Sequence, residues 1–198
     1  ISEVKKILPI MAKSASIIKR KIPEAQFIIS KVKHIDAEIY ENILRSSFTV
    51  TSVGTAQCAV PTNRNYDIKL IESQPYDCLN VADFVFVASG TATLETAIMA
   101  KPNVIIYKMG LLNYLLYRPM IKVPYIGMEN IVAGKMLAPE FIQFKAKPKA
   151  IASTVLNIFM DKERLDELEK DFRELRERLG PPGAPLRAAE SILSFLKQ

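Results

Sequence analysis

Two cysteines and one histidine are all the thiol and imidazole groups that this chain of 198 residues contains. Cys58 and Cys78 form no CxxC pair, and only His34 could join them. A disulfide framework and a zinc module are both disfavoured, and a reducing compartment is expected. Serine–histidine or cysteine–histidine catalysis would rest on His34 alone, whose neighbours Lys31, Lys33 and Asp36 mark it as part of an exposed stretch. No metal set and no cofactor is expected. Long apolar runs are missing too. The richest, residues 109–123, is broken by Arg118, Pro119 and Lys122 and is shorter than the roughly 20 residues that a membrane span needs. Behind the charged opening Ser2–Lys6 there is no signal-peptide core, and no repeat or low-complexity tract occurs. The sequence begins at Ile1 rather than at a methionine, so the natural polypeptide is expected to extend upstream.

What is present is an ordinary globular composition, 49% apolar and 24% charged, sufficient for one sizeable core. The net charge of +6 is concentrated in residues 1–45, which carry nine basic and five acidic residues. Neither Lys19-Arg20-Lys21 nor Lys31 and Lys33 is interleaved with aromatics. A nucleic-acid partner is therefore not expected, and a solvated helix end explains the charge.

Apolar residues at Val4, Ile7, Leu8, Met11, Ala15 and Ile18 have the 3/4 spacing of a helix from Ser2 to Lys21, which Ile22-Pro23 ends. A strand is expected over Ala25–Ser30, a helix over Asp36–Arg45 with Asp36 as N-cap, and a strand over Phe48–Val53. After the loop cluster Pro61–Asn65 come a short strand, Ile68–Ile71, and a short helix, Tyr76–Ala82. Asp83–Ala88 is an almost unbroken apolar run, as in strands buried on both faces of a parallel sheet. A tight turn, a helix over Ala92–Met99 and a strand over Asn103–Tyr107 complete a βαβ unit, which points to an open α/β sheet. Residues 109–123 have two readings: a helix covering the sheet, or a lipid-facing surface with snorkelling Arg118 and Lys122. Helices are expected over Pro148–Met160, Lys162–Leu179 and Ala184–Leu196. In the second of these, Asp166/Lys170, Glu169/Arg173 and Glu174/Arg178 fall at i,i+4.

In an open α/β sheet ligands bind beyond the carboxyl ends of the strands, which directs attention to Ser89-Gly90-Thr91-Ala92-Thr93. The glycine lets a ligand approach the backbone. Hydroxyls and the unpaired N–H groups of the following helix suit a phosphate or diphosphate. Glu95, one turn further on, is within reach of sugar hydroxyls. A second cluster, Glu129–Lys135, offers Asn130 to a sugar or phosphate and Lys135 to a phosphate, but by itself it reads as a loop before a helix.

Five ordered blocks carry a family likeness: Val81-Ala82-Asp83, Ala88–Glu95, Val123-Pro124-Tyr125-Ile126, Asn130–Gly134 and Pro139–Gln143. Together they resemble the C-terminal half of bacterial lipid-A-disaccharide synthases. The looser matches Leu8-Pro9, Leu175-Arg176 and Leu179-Gly180 extend the likeness over essentially the whole chain. The resemblance implies a Rossmann-like open parallel sheet forming one half of a two-domain, B-type glycosyltransferase. It implies residues 1–183 as a UDP-sugar-binding domain lacking its first strand, and 184–198 as a helix that packs on the other half or exchanges between chains in a homodimer. The activity implied is inverting transfer of 2,3-diacylglucosamine from its UDP form to 2,3-diacylglucosamine 1-phosphate, at the cytoplasmic face of the inner membrane as a peripheral protein. Carried over by position, Ser89, Gly90 and Thr91 would contact the diphosphate, Glu95 the ribose, and Asn130 the donor sugar or phosphate. Lys135 stands where the family usually has arginine, and Glu129 where a proline commonly precedes the asparagine. The catalytic base is expected in the other half. Within this half, the resemblance implies a strand and a Leu-Pro-Gly-Ser-Arg turn just upstream of Ser2, with the arginine at the diphosphate. Two alternatives stand beside this reading: another UDP-N-acetylhexosamine transferase or epimerase of the same fold, and a noncatalytic nucleotide-binding or interaction module.

Overall fold

A computed structural model of the chain describes residues 1–45, 48–53, 67–110, 114 and 123–196. The first helix, α1 (Ser2–Lys21), organises them because apolar residues occupy two adjoining stripes of its surface. Ile7, Ile10 and Ile18 enter one core cluster with Val104, Ile106 and Ile151. Leu8, Ala12 and Ala15 enter a second with Tyr40, Leu44, Ile68 and Leu70. One helix thus packs on both of the parallel sheets.

The first sheet holds β1 (Phe27–Lys31), β2 (Thr49–Val53) and β3 (Asp67–Glu72) in the order β1-β3-β2, with Phe27 opposite Ile68 and Thr49 opposite Asp67. The second holds β4 (Val85–Ala88), β5 (Asn103–Tyr107) and β6 (Glu140–Ile142) in the order β4-β5-β6, with Val85 opposite Asn103 and Ile105 opposite Glu140. Every pairing is parallel. Intervening helices α2 (Ala37–Leu44), α3 (Pro75–Val81) and α4 (Thr91–Ile98) supply crossovers, as expected for an open α/β sheet. The chain continues through α5 (Met128–Ala133), α6 (Pro148–Met160), α7 (Lys162–Leu179) and α8 (Ala184–Leu196).

Burial on both faces holds for β5, where Val104, Ile105 and Ile106 are wholly enclosed. It does not hold for β4, where only Val87 is buried. Among the described residues β4 pairs on one side only, and an edge strand is less enclosed than its central neighbour. Four other local expectations change. Lys31 is buried rather than on the surface, because its ammonium bonds the Ile35 carbonyl at 3.1 Å and Glu72 at 2.6 Å. Asp36 holds the N-cap position of α2 without a side-chain cap bond. The segment read as a loop around Asn130 is helical. Three-residue β6 carries too short a pattern for alternation to reveal it. Of the charge pairs expected on α7, Glu169–Arg173 closes at 2.6 Å, whereas Arg178 turns away to donate to the Ala133 carbonyl at 2.7 Å. His34 is exposed, as its neighbours implied. Most of the 109–123 segment, Cys58 and the Pro61–Asn65 cluster lie outside the described residues.

Candidate functional site

Beyond the carboxyl end of β4 the chain makes a tight turn and enters α4 with Gly90 as N-cap. The Thr93 hydroxyl donates to the Gly90 carbonyl at 2.9 Å, closing the turn. The amides of Thr91 and Ala92 fall in the first turn of α4, where no preceding helical carbonyl exists to accept from them. Gly90 and Thr91 are exposed, and a Cβ built at Gly90 would meet nothing within 4 Å. The outer surface of this turn is therefore open to a ligand. Ser89 sits behind it, half-buried, and half-buried Glu95 lies one turn along α4. The structure thus brings Ser89, Gly90, Thr91 and Glu95 onto one strand–turn–helix, as the sequence suggested.

A second strip of backbone, residues 123–128, runs alongside. The Ser89 hydroxyl donates to the Ile126 carbonyl at 3.1 Å, and the Met128 amide donates to the Thr93 hydroxyl at 3.1 Å. One Glu140 oxygen, Oε1, accepts from the Ile126 amide at 3.0 Å, the Gly127 amide at 2.9 Å and the Asn130 side-chain amide at 2.9 Å. Its other oxygen accepts from Ile126 at 3.1 Å. Space is tight at Gly127, where a Cβ would come 2.1 Å from Ile105 Cδ1 and the buried Ile105 side chain would have to shift.

Asn130 is fully buried, and both ends of its amide are occupied. The nitrogen donates to the Ala138 carbonyl at 2.8 Å as well as to Glu140, while the oxygen accepts from the Leu137 and Ala138 amides at 2.8 and 3.0 Å. All of its hydrogen-bonding capacity is spent inside the protein. Lys135 follows Gly134, whose left-handed φ of 71° ends α5, and its ammonium contacts Asp171 of α7 at 2.5 Å.

The sequence marked Glu129 only as a departure ahead of the asparagine, with nothing to show that it is a buried acid. Its carboxyl is completely buried; Oε2 accepts from Asn103 at 3.2 Å, while Oε1 and the Asn103 side-chain oxygen have no partner. Desolvation, opposed by the Asn103 hydrogen bond and reinforced by the nearby charge of Glu140, pushes its pKa up to about 8. The carboxyl is consequently neutral over most of the physiological range. Among the described residues no cluster of histidine, cysteine and carboxylates could hold a metal ion. Nor is any helix among them long and apolar enough to cross a membrane.

Comparison with known proteins gives a consistent result. A family model described as lipid-A-disaccharide synthetase matches residues 1–190. The lipid-A-disaccharide synthase of Syntrophus aciditrophicus (strain SB) is 37% identical over 196 residues, covering 99% of this chain and 47% of that protein. The synthase of Nitrosococcus oceani is 34% identical over 199 residues, covering 99% of this chain and 46% of its own length. That of Anaeromyxobacter sp. (strain K) is 30% identical over 196 residues, with 99% and 47% covered. The chain spans about half the length of the curated relatives that it matches. With its parallel α/β architecture and the open turn after β4, it belongs to the lipid-A-disaccharide synthase family.

Proposed function

We propose that this chain is the donor-binding part of an inverting glycosyltransferase. The enzyme would transfer 2,3-diacylglucosamine from UDP to 2,3-diacylglucosamine 1-phosphate, releasing UDP and the β-1,6-linked disaccharide phosphate. The observation that carries this reading is the open Gly90–Thr91 turn, with unpaired first-turn amides, at the carboxyl end of a parallel strand. Its place in the family supplies the substrate class.

In this scheme the amides of Thr91 and Ala92 and the Thr91 hydroxyl receive the diphosphate, while Ser89, whose one hydroxyl proton goes to the Ile126 carbonyl, holds the turn that presents them. Glycine at position 90 keeps the approach clear, and Glu95 accepts from ribose hydroxyls. Lys135 offsets phosphate charge by exchanging Asp171 for the ligand. Asn130 contributes from beneath, by fixing the Leu137–Ala138 backbone and Glu140. Negative charge builds on UDP as the glycosidic carbon is attacked, and donors already aimed at the diphosphate lower the barrier without reorganising. The general base that takes the proton from the attacking hydroxyl belongs to the half of the polypeptide that this chain does not include. An upstream strand is proposed to add between β1 and β4, each of which pairs on one side only among the described residues while both sheets share α1.

The test is steady-state kinetics on the whole polypeptide. Glu95→Ala is expected to raise the donor KM about tenfold with a smaller change in kcat, the loss of roughly two hydrogen bonds to sugar. Unchanged donor kinetics would remove Glu95 from the site. A folded protein that binds no UDP would favour the noncatalytic module. A peripheral membrane contact through residues 109–123 is proposed as well, and liposome co-sedimentation insensitive to Leu112→Asp with Leu116→Asp would return that segment to the core.

A further inference from the structure

The Ser89 hydroxyl spends its one proton on the Ile126 carbonyl, so it ties the ligand-facing turn after β4 to the 123–128 strip rather than donating to the ligand itself. That carbonyl belongs to a stretch of irregular backbone with no strand partner of its own, so something else must fix it. Among the described residues, the side chain bonded to the amides of both Ile126 and Gly127 is Glu140, which reaches them from β6, the third strand of the sheet that carries the turn. Gly127 lies close against Ile105 of β5, and the Glu140 carboxylate ties the strip down beside it. The same strip carries the Met128 amide that donates to Thr93, the residue that closes the turn at Gly90. Glu140 therefore governs both hydroxyls bracketing the ligand-facing backbone without itself facing the ligand.

We infer that Glu140 is a positioning residue for the donor diphosphate, acting through the Ile126 carbonyl on Ser89 and through Met128 on Thr93. The inference rests on the donor-site reading above. A carboxylate is needed because three N–H donors converge on one oxygen and a fourth contact falls on the other; glutamine would turn an NH2 toward one of those donors. Preorganised donors cost nothing to arrange at the moment of binding, and a loosened strip returns that cost to the ligand.

Titration calorimetry with UDP on the whole polypeptide tests this, using Ser89→Ala, Glu140→Gln and the double variant at a temperature well below the unfolding midpoint of each. Ser89→Ala and Glu140→Gln are each expected to raise the UDP Kd about tenfold. The double variant is expected to bind no more weakly than about twofold beyond the worse single one, because the two residues act in series. Glu140→Asp keeps the charge but draws it back by one methylene, and gives a smaller loss in the same direction if Glu140→Gln does not fold. Wild-type affinity in Glu140→Gln or Glu140→Asp, or losses that multiply in the double variant, would overturn the positioning role while leaving the donor site intact. Ser89→Ala binding UDP like the wild type would likewise overturn the positioning role, whereas a folded wild-type polypeptide that binds no UDP would overturn the donor-site reading itself.

Discussion

Glu129 is neutral because burial raises its pKa by more than the Asn103 hydrogen bond lowers it, and this has a consequence for stability. In the unfolded chain its carboxyl ionises near 4.5, whereas in the folded chain it does so near 8. Between those values folding takes up a proton, so stability falls as pH rises through the window and levels off above about 8. Below 4.5 both states are protonated and the contribution is fully present. Glu129→Gln keeps the shape, removes the ionisation from the unfolded chain, and can offer an N–H to the partnerless Asn103 oxygen. It should therefore stabilise the protein at pH 7.5 by about 1–3 kcal/mol and by almost nothing at pH 4. Urea denaturation at the two pH values measures this, and equal effects at both would show that Glu129 is ionised in the fold. Asn130 is a residue whose type suits a ligand, and in this structure its amide is engaged by Leu137, Ala138 and Glu140. Residue type and spacing disclose what a side chain could bind. They do not disclose which backbone groups have already claimed it.

Elements with their own periodicity were legible: α1 and β5 fall on the residues that spacing assigns, and α4, α6 and α7 differ by a residue or less at each end. Six-residue α5 was not, since a helix of that length has little stability of its own and is held by contacts from elsewhere. Glu140 and Thr93 secure its beginning; Gly134 and Arg178 secure its end. The sequence pairs Arg173 and Arg178 alike with a glutamate four residues earlier, yet only the first makes that bridge. Substitution separates the two. Arg173→Ala is expected to cost under about 0.5 kcal/mol, as for exposed ion pairs. Arg178→Ala removes a bond to the Ala133 carbonyl and should cost about 1 kcal/mol. Thermal denaturation of both variants checks the contrast, and equal losses would mean that the α5 terminus gains nothing from α7. β6 went unread for the same reason as α5: three residues acquire strand identity only from β5, against which Phe141 lies opposite Ile106.

At the scale of the whole molecule, α8 is out of balance with the rest. Leu186, Ile192, Leu193, Phe195 and Leu196 are all between 57 and 77% exposed, and no residue of the helix is buried. Covering one such side chain is worth roughly 1.5–3 kcal/mol, so five together provide a large incentive for association. The relatives are about twice as long as this chain. The proposed cover is accordingly the other half of the polypeptide, and a second copy of this chain when that half is absent. Sedimentation velocity on the 198-residue chain should then show concentration-dependent dimers at tens of micromolar, since five exposed apolar side chains exceed what monomers ordinarily leave uncovered. Residues 1–183 alone, or the chain with Leu193→Asp, should remain monomeric with an unchanged unfolding midpoint, because α8 gives no residue to any core cluster. In the whole polypeptide Leu193→Asp should instead lower the midpoint by a few degrees, on the order of 1–2 kcal/mol for a protein of that size. A strictly monomeric 198-residue chain, together with a whole polypeptide indifferent to Leu193→Asp, would show that α8 packs on neither partner.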